Sequence, residues 1–102
     1  MKAIWNKETV AEATPEELIR IEGNWYFPAE SIKKDFFKDS DRRTTCFWIG
    51  EASYYDVTVD GQTSEFGAWY YPQPIVGSIE KVGKDFTNYV AFWNGIEVVE
   101  SH

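Results

Sequence analysis

The sequence is short of the residues that most metal and nucleophile sites require. It holds one cysteine, Cys46, and one histidine, His102, in 102 residues. A disulfide within the chain is therefore impossible, and these two ligands cannot complete a tetrahedral zinc site of the usual kind. His102 is the last residue, and a catalytic base in such a tail is seldom held in place. We expect no metal site and no cofactor, and we expect Cys46 to be a small buried apolar residue.

Basic residues are also few. Ten lysines and arginines stand against seventeen aspartates and glutamates, which gives a net charge of -7. Proteins that bind nucleic acids or anionic membranes neutralise phosphates and head groups with Lys and Arg, so the charge argues against both partners. No apolar run approaches the roughly eighteen residues that cross a bilayer, and no signal-peptide segment follows Met1. With a single cysteine, these features predict a cytoplasmic protein.

Aromatic side chains, by contrast, are abundant. The chain has five Trp, six Tyr and seven Phe. A length of 102 residues suits a single domain, which we assign to residues 1–102. Because each aromatic side chain can bury about 150–250 Å², the core must be rich in rings, and some rings are left for a surface.

The pattern of the chain predicts a mainly β fold of antiparallel sheets, with six to eight strands and one or two short helices. From Thr44 onward apolar residues alternate, and Asp60-Gly61 and Asn94-Gly95 are two-residue turn signals that predict hairpins. Thr14 and the residues after it predict a helical turn before a strand at 18–22. The apolar spacing within residues 28–38 predicts a short helix.

The Asp60-Gly61 loop decides which aromatic side chains share a face. A loop of two residues continues the register of its arms without a bulge, and side chains alternate between the faces of a strand. In the stretch AWYYPQP, residues 68–74, Tyr70 then joins most of the aliphatic side chains on the expected core face. Trp69 and Tyr71 point to the opposite face.

The face that carries Trp69 and Tyr71 is a candidate ligand site. On this register Tyr54 lies opposite Gly67 and Ala52 lies opposite Trp69, so large rings stand beside small residues. Such a depression suits a flat ligand, because binding pockets combine apolar walls with a few polar groups. In the alternative interpretation a second sheet, or the helix at 28–38, simply covers this face.

The same register places two acids, Asp56 and Glu65, directly across the hairpin. Like charges in this arrangement destabilise an antiparallel pair. A bound cation, a cationic ligand or a shared proton would relieve the repulsion. A lysine or arginine from elsewhere, or a bulge that separates the two acids, would relieve it as well.

A second set of polar residues lies at 39–43. Asp39 and Asp41 could hold a metal-bound nucleotide, with Arg42 and Arg43 on its phosphates. The chain has neither a Walker pattern nor a G-x-G-x-x-G loop. Turn formation and a solvated surface explain the same residues equally well.

Five strings together resemble one known family, catalogued as domain of unknown function 427. They are MKAIWN, EGNWYFP, TTCFWIGEASYY, AWYYPQP and NYVAFWN, in an order and spacing that cover nearly the whole chain. The family is filed as nucleotidyltransferase-like, and its fold is similar to the β-tent group, so the resemblance implies a β-tent-like single domain. Many tent relatives hold zinc between two cysteine pairs, and Cys46 alone implies the zinc-free form.

The resemblance also marks residues. Where the family usually has Cys-Pro-Trp-Lys-Gly, this chain has Cys-Phe-Trp-Ile-Gly at 46–50, and loss of that lysine weakens a phosphate site at this turn. The positions that match the family pattern are Glu22, Asn24, Tyr26, Cys46, Trp48, Tyr54, Trp69 and Tyr71.

We therefore expect a monomer or homodimer that binds an unidentified small molecule, flat or cationic, in an aromatic cleft. The expected ligand-binding residues are Glu22, Asn24, Cys46, Trp48, Tyr54, Asp56, Glu65, Trp69 and Tyr71, with the rings as walls and Asp56 and Glu65 as charge partners. Two alternatives stay open: a nucleotidyltransferase-like enzyme that uses residues 39–43, and a protein-interaction module whose outward rings form a partner patch.

Overall fold

Nine strands in three antiparallel sheets make up half of residues 1–100, the part of the chain that this computed structural model describes. The strands are β1 (Lys2–Trp5), β2 (Glu8–Glu12), β3 (Ile19–Ile21), β4 (Asn24–Tyr26), β5 (Phe37–Cys46), β6 (Gly50–Val59), β7 (Gln62–Tyr70), β8 (Val90–Phe92) and β9 (Glu97–Val99). The mainly β prediction is confirmed, and the tent-type arrangement of the sheets stays a prediction. His102 lies outside the described residues.

The sheets follow the orders β2-β1-β9, β3-β4 and β5-β6-β7-β8. Within residues 1–100 the one α-helix, α1 (Ser78–Val82), lies in the chain between β7 and β8. No helix within residues 1–100 has the length and apolar character that a membrane span requires.

Two-residue turns close the first two hairpins. Asn6 and Lys7 join β1 to β2, and Glu22 and Gly23 join β3 to β4, all four with positive φ. The turn before β3 is a 3-10 turn at Pro15–Glu17, so the predicted turn and strand at 14–22 are confirmed.

The predicted helix at 28–38 is wrong. This segment forms two 3-10 turns, Ala29–Ser31 and Lys34–Phe36, and β5 begins at once after the second. Between the turns Ile32 is buried and forms a β-bridge to Ala11, while the Lys33 amide donates to the Val10 carbonyl at 2.8 Å. Pairing with the edge of β2 therefore replaces the hydrogen bonds of a helix.

Asn94 and Gly95 do adopt positive φ, but the hairpin predicted around them is wrong. Strand β8 before the turn pairs with β7, and strand β9 after it pairs with β1. The turn thus carries the chain from one sheet to another, which local turn chemistry cannot reveal.

The hairpin of β6 and β7 starts in the predicted register and then leaves it. Val57 pairs with Ser64 as expected, but farther along Tyr55 pairs with Ala68, so Asp56 alone faces the three residues 65–67. The predicted pairing of Asp56 with Glu65 is therefore wrong. Because the bulge adds an even number of residues, the alternation of Trp69, Tyr70 and Tyr71 between faces is unchanged.

A side chain holds this bulge. Phe66 has φ of +57°, which is uncommon for an aromatic residue, and its amide donates to the Asp56 carboxylate at 2.9 Å. Gly67 comes next and is buried against Ser64 and Ile96, with no room for a side chain. The predicted pairing of Gly67 with Tyr54 is thus replaced, since Tyr54 pairs with Trp69.

A second bulge lies on the other side of β6. Asp39 pairs with Tyr55 and Arg43 pairs with Ser53, so residues 40–42 of β5 face Tyr54 alone. The Ser40 hydroxyl accepts from the Arg42 amide at 3.1 Å inside this bulge. Strand β6 is therefore flanked by a bulge on each side, next to Tyr54 and Asp56.

Both faces of the four-stranded sheet are covered. One core cluster includes Val57, Ala68 and Phe27, and Tyr70 packs at its margin. The other cluster contains Ala52 and Tyr71, under the hairpin of β3 and β4. Tyr71 is only 7% exposed, so the prediction that it looks outward is wrong, and the covered-face alternative describes most of this surface.

Candidate functional site

The β3-β4 hairpin leaves one part of the sheet open, and a pocket of about 300 Å³ lies there. Its lining comes from the hairpin, the end of β5, and strands β6 and β7. The lining residues are Ile21, Glu22, Asn24, Tyr26, Arg42, Cys46, Ile49, Tyr54, Trp69, Tyr71 and Trp93. We call this cavity the aromatic pocket.

Three rings form its inner wall, and Tyr26 contacts the other two. Tyr26 stacks on Tyr71 with centroids 6.4 Å apart, and it meets Trp69 edge to face at 6.2 Å. The Trp69 indole N–H donates to the Tyr26 hydroxyl at 3.0 Å. These contacts fix the rings, so the wall is formed before any ligand arrives.

The hydroxyl groups of this wall stay neutral at ordinary pH. Burial raises the pKa of Tyr26, although side-chain hydrogen bonds from Trp69 and Tyr71 oppose the change. Burial also raises the pKa of Tyr71 well above its usual value, and the next cause is repulsion from the negative charge that Tyr26 carries when it ionises. The inner wall therefore offers polar oxygens without negative charge.

Arg42 supplies the positive charge of the aromatic pocket. Its guanidinium lies over the rings of Tyr54 and Phe66, at 5.3 and 4.9 Å from their centroids. Within residues 1–100 it forms no ion pair and no side-chain hydrogen bond. The neighbouring Arg43 differs, because its guanidinium donates to the Ser40 and Arg42 carbonyls, both at 2.8 Å.

The acidic side of the rim is occupied. Glu22 accepts a hydrogen bond from the Trp48 indole N–H. The Lys81 ammonium lies 5.7 Å from the centroid of the Trp48 ring. Trp48 therefore stands beside the aromatic pocket, holding Glu22, and is not part of its lining.

Six of the nine residues predicted to bind a ligand line the aromatic pocket. These six are Glu22, Asn24, Cys46, Tyr54, Trp69 and Tyr71. Cys46 is half-buried, where we expected it to be buried.

The two predicted charge partners lie elsewhere. Asp56 is the acceptor that holds the β7 bulge. Glu65 is exposed, and its backbone carbonyl accepts from the Asn94 side chain at 2.7 Å. Neither carboxylate belongs to the pocket lining.

Sequence reasoning left out five lining residues: Ile21, Tyr26, Arg42, Ile49 and Trp93. Tyr26 carried a signal, since it matches the family pattern. Arg42 carried none for this site, because its position depends on a bulge that spacing does not reveal.

The structure separates the residues of the nucleotidyltransferase hypothesis. Asp39 accepts from the Tyr70 hydroxyl at 3.3 Å, on the face of the sheet opposite to Arg42 and Tyr54. Asp41 is exposed. Among the described residues no group of three His, Cys, Asp or Glu side chains could hold a metal ion.

The two most exposed apolar side chains, and a second cavity, do not include the predicted rings. Phe47 and Val76 are 91% and 99% exposed, whereas the rings of the interaction hypothesis, Trp69 and Tyr71, are partly or fully buried. A cavity of about 780 Å³ near Trp25 is larger than the aromatic pocket but contains none of the predicted ligand-binding residues. Trp25 is its only aromatic lining residue within the described chain.

Comparison with known proteins agrees with the resemblance in the sequence. The model of the family described as domain of unknown function (DUF427) matches residues 1–101, and the chain belongs to this family. The family's name refers to nucleotidyltransferases, but its description assigns no activity. None of the curated proteins matches the chain.

Proposed function

We propose that this member of the DUF427 family binds a small planar ligand in the aromatic pocket. The observation that supports the proposal most strongly is the arrangement of Tyr26, Trp69 and Tyr71, three fixed rings along one wall of an open cavity. A flat molecule would stack against Trp69 and Tyr54, which are half-buried and still present surface to the cavity.

The size of the cavity limits the ligand. A volume of about 300 Å³ is at the lower end of the range for small-molecule sites. About ten molecules of liquid water occupy the same volume. One ring, or two fused rings with a small substituent, fits this space.

The polar groups support orientation of such a ligand. Arg42, Glu22 and Asn24 stand at the exposed rim, while the neutral Tyr26 and Tyr71 hydroxyls belong to the inner wall. A buried apolar body with a few polar groups around it is the usual composition of a small-molecule site.

A ligand screen tests the proposal. A library of planar one-ring and two-ring compounds of positive, zero and negative charge is examined by ligand-detected NMR and thermal shift. We expect compounds whose binding is lost in the Trp69→Ala variant. The same compounds should still bind the Trp25→Ala variant, which is the matched control in the larger cavity. A folded wild-type protein that binds no planar compound of any charge would end the proposal, as would binders that Trp69→Ala does not affect.

A further inference from the structure

We infer that the ligand of the aromatic pocket is a planar carboxylate, and that Arg42 binds its negative group. This inference rests on the proposed function and adds the charge and the shape of the ligand. It also changes the earlier expectation of a cationic ligand, because the acids that supported it, Asp56 and Glu65, are absent from the pocket lining.

The first support is that Arg42 has its hydrogen-bond donors available. Its guanidinium contacts the faces of two rings and has no acceptor among residues 1–100. Arginine can stack through its flat face and still present the N–H groups of its edge, which match the two oxygens of a carboxylate. The guanidinium of Arg43, one residue later, donates to two backbone carbonyls and does not contact these rings.

The second support is the backbone that holds this contact. The bulge at 40–42 carries Arg42, the bulge at 65–67 carries Phe66, and the two side chains meet above Tyr54. Phe66 adopts a positive φ there, a conformation that costs free energy for an aromatic residue. Bulges and backbone strain of this kind are concentrated at binding sites, where they direct side chains.

The charge around the pocket favours one negative group over two. The chain has a net charge of -7, so an anion needs a local cation to bind. Among residues 1–100, Arg42 is the single cation in the lining, and Glu22 contributes a nearby negative charge. A carboxylate with one charge fits this balance better than a phosphate with two, and the neutral phenols of Tyr26 and Tyr71 add no repulsion.

Three compounds with one ring system test the charge. These are 2-naphthoate, 2-naphthamide and 2-naphthamidine, which are negative, neutral and positive, and their affinities are measured by NMR titration of the full chain. We expect 2-naphthoate to bind about tenfold more tightly than 2-naphthamide, as for a hydrogen bond to a charged group. The amidine should bind most weakly.

Two variants assign the effect to Arg42. Arg42→Gln should reduce the affinity for 2-naphthoate to that of 2-naphthamide, and Arg20→Gln, which removes the same charge beside the larger cavity, should leave it within about twofold. Arg42→Lys should restore part of the affinity, since it keeps the charge and loses the fork of donors. Circular dichroism confirms that each variant is folded.

The outcomes separate the two proposals. If none of the three compounds binds the folded wild type, and the planar library fails as well, the proposed function is wrong. If all three bind equally, if the amidine binds best, or if Arg42→Gln keeps the preference, the site stands and the inference about charge is overturned. Tighter binding of 2-naphthyl phosphate than of 2-naphthoate would overturn the carboxylate.

Discussion

The guanidinium of Arg42 lies 4.9 Å from the centroid of the Phe66 ring, although β5 and β7 are separated by β6. In a regular sheet the backbones of two strands separated by a third lie about 9–10 Å apart. The contact exists because one bulge in β5 and one in β7, on either side of β6, bring the two side chains over Tyr54. Irregular pairing, and not strand order, therefore builds this side of the aromatic pocket.

The carboxylate of Asp56 should be essential to the β7 bulge. Asp56→Ala removes the acceptor of the Phe66 amide and should lower the free energy of unfolding by about 1.5–3 kcal/mol, as for a hydrogen bond to a charged group. Urea denaturation measures the change. Glu65→Ala, the exposed matched control, should change stability by less than about 0.5 kcal/mol. Equal losses in the two variants would contradict the assigned role of Asp56.

Gly67 should tolerate no side chain. A Cβ there would lie 2.3 Å from the Ser64 Oγ and 2.8 Å from the Ile96 Cδ1. Gly67→Ala should therefore cost roughly 3 kcal/mol through overpacking. The control is Gly61→Ala, where φ is +77° and no atom is within 4 Å, so only the backbone term of about 1 kcal/mol applies. Denaturation midpoints that fall equally in both variants would show that the region around Gly67 relaxes.

Phe66 should contribute more to binding than to stability. Phe66→Gly removes the ring under Arg42 but also relieves the positive φ, so the two effects on stability oppose each other. We expect a net change within about 1 kcal/mol and a weaker affinity for 2-naphthoate. An unfolded variant, or one with unchanged affinity, would contradict this account of the bulge.

Stability should fall at alkaline pH. Burial raises the pKa of Tyr55 to about 12, and burial also raises the pKa values of Tyr26, Tyr70 and Tyr71 above their usual value. The unfolded chain loses these protons near pH 10, while the folded chain still holds them. This stabilisation is complete below about pH 10 and is lost as the pH rises through the folded-state values.

Urea midpoints between pH 8 and 12, together with tyrosinate absorbance, measure this effect. Tyr71→Phe removes one buried hydroxyl and should flatten the pH dependence. A midpoint that stays constant or rises above pH 10 would contradict the buried placement of these rings.

Much of the fold follows from local chemistry. The strand after residue 18 and the start of the β6-β7 hairpin depend on alternating side chains and on positive φ at Asp60 and Gly61, which neighbouring residues determine. The first two turns also place Lys7 and Glu22 at positive φ, which these residue types do not favour. The segment 28–38 could not be predicted in this way, because its pairing with β2 depends on residues more than twenty positions away. The partner strands of Asn94-Gly95 were missed for the same reason.

The part of the site that depends only on which face of a strand a side chain occupies could be predicted. Trp69 and Tyr54 share a face in any register shifted by an even number of residues, so they were identified correctly despite the bulge. The pairing of Asp56 with Glu65 depends on the register itself. The carboxylate of Asp56, for which we expected a cation, instead accepts a hydrogen bond from the Phe66 amide. Arg42 could not be found without the two bulges.

The most direct test follows the five Trp indole N–H signals of the ¹⁵N-labelled protein during titration with 2-naphthoate. Trp69 is bonded to Tyr26 in the pocket wall, whereas Trp5 is bonded to the Gln62 carbonyl and Trp25 lines the other cavity. We predict that the Trp69 signal moves in a saturable way while those of Trp5 and Trp25 stay in place. A Trp69 signal that does not move, or a larger change at Trp25, would contradict the assignment of the aromatic pocket as the binding site.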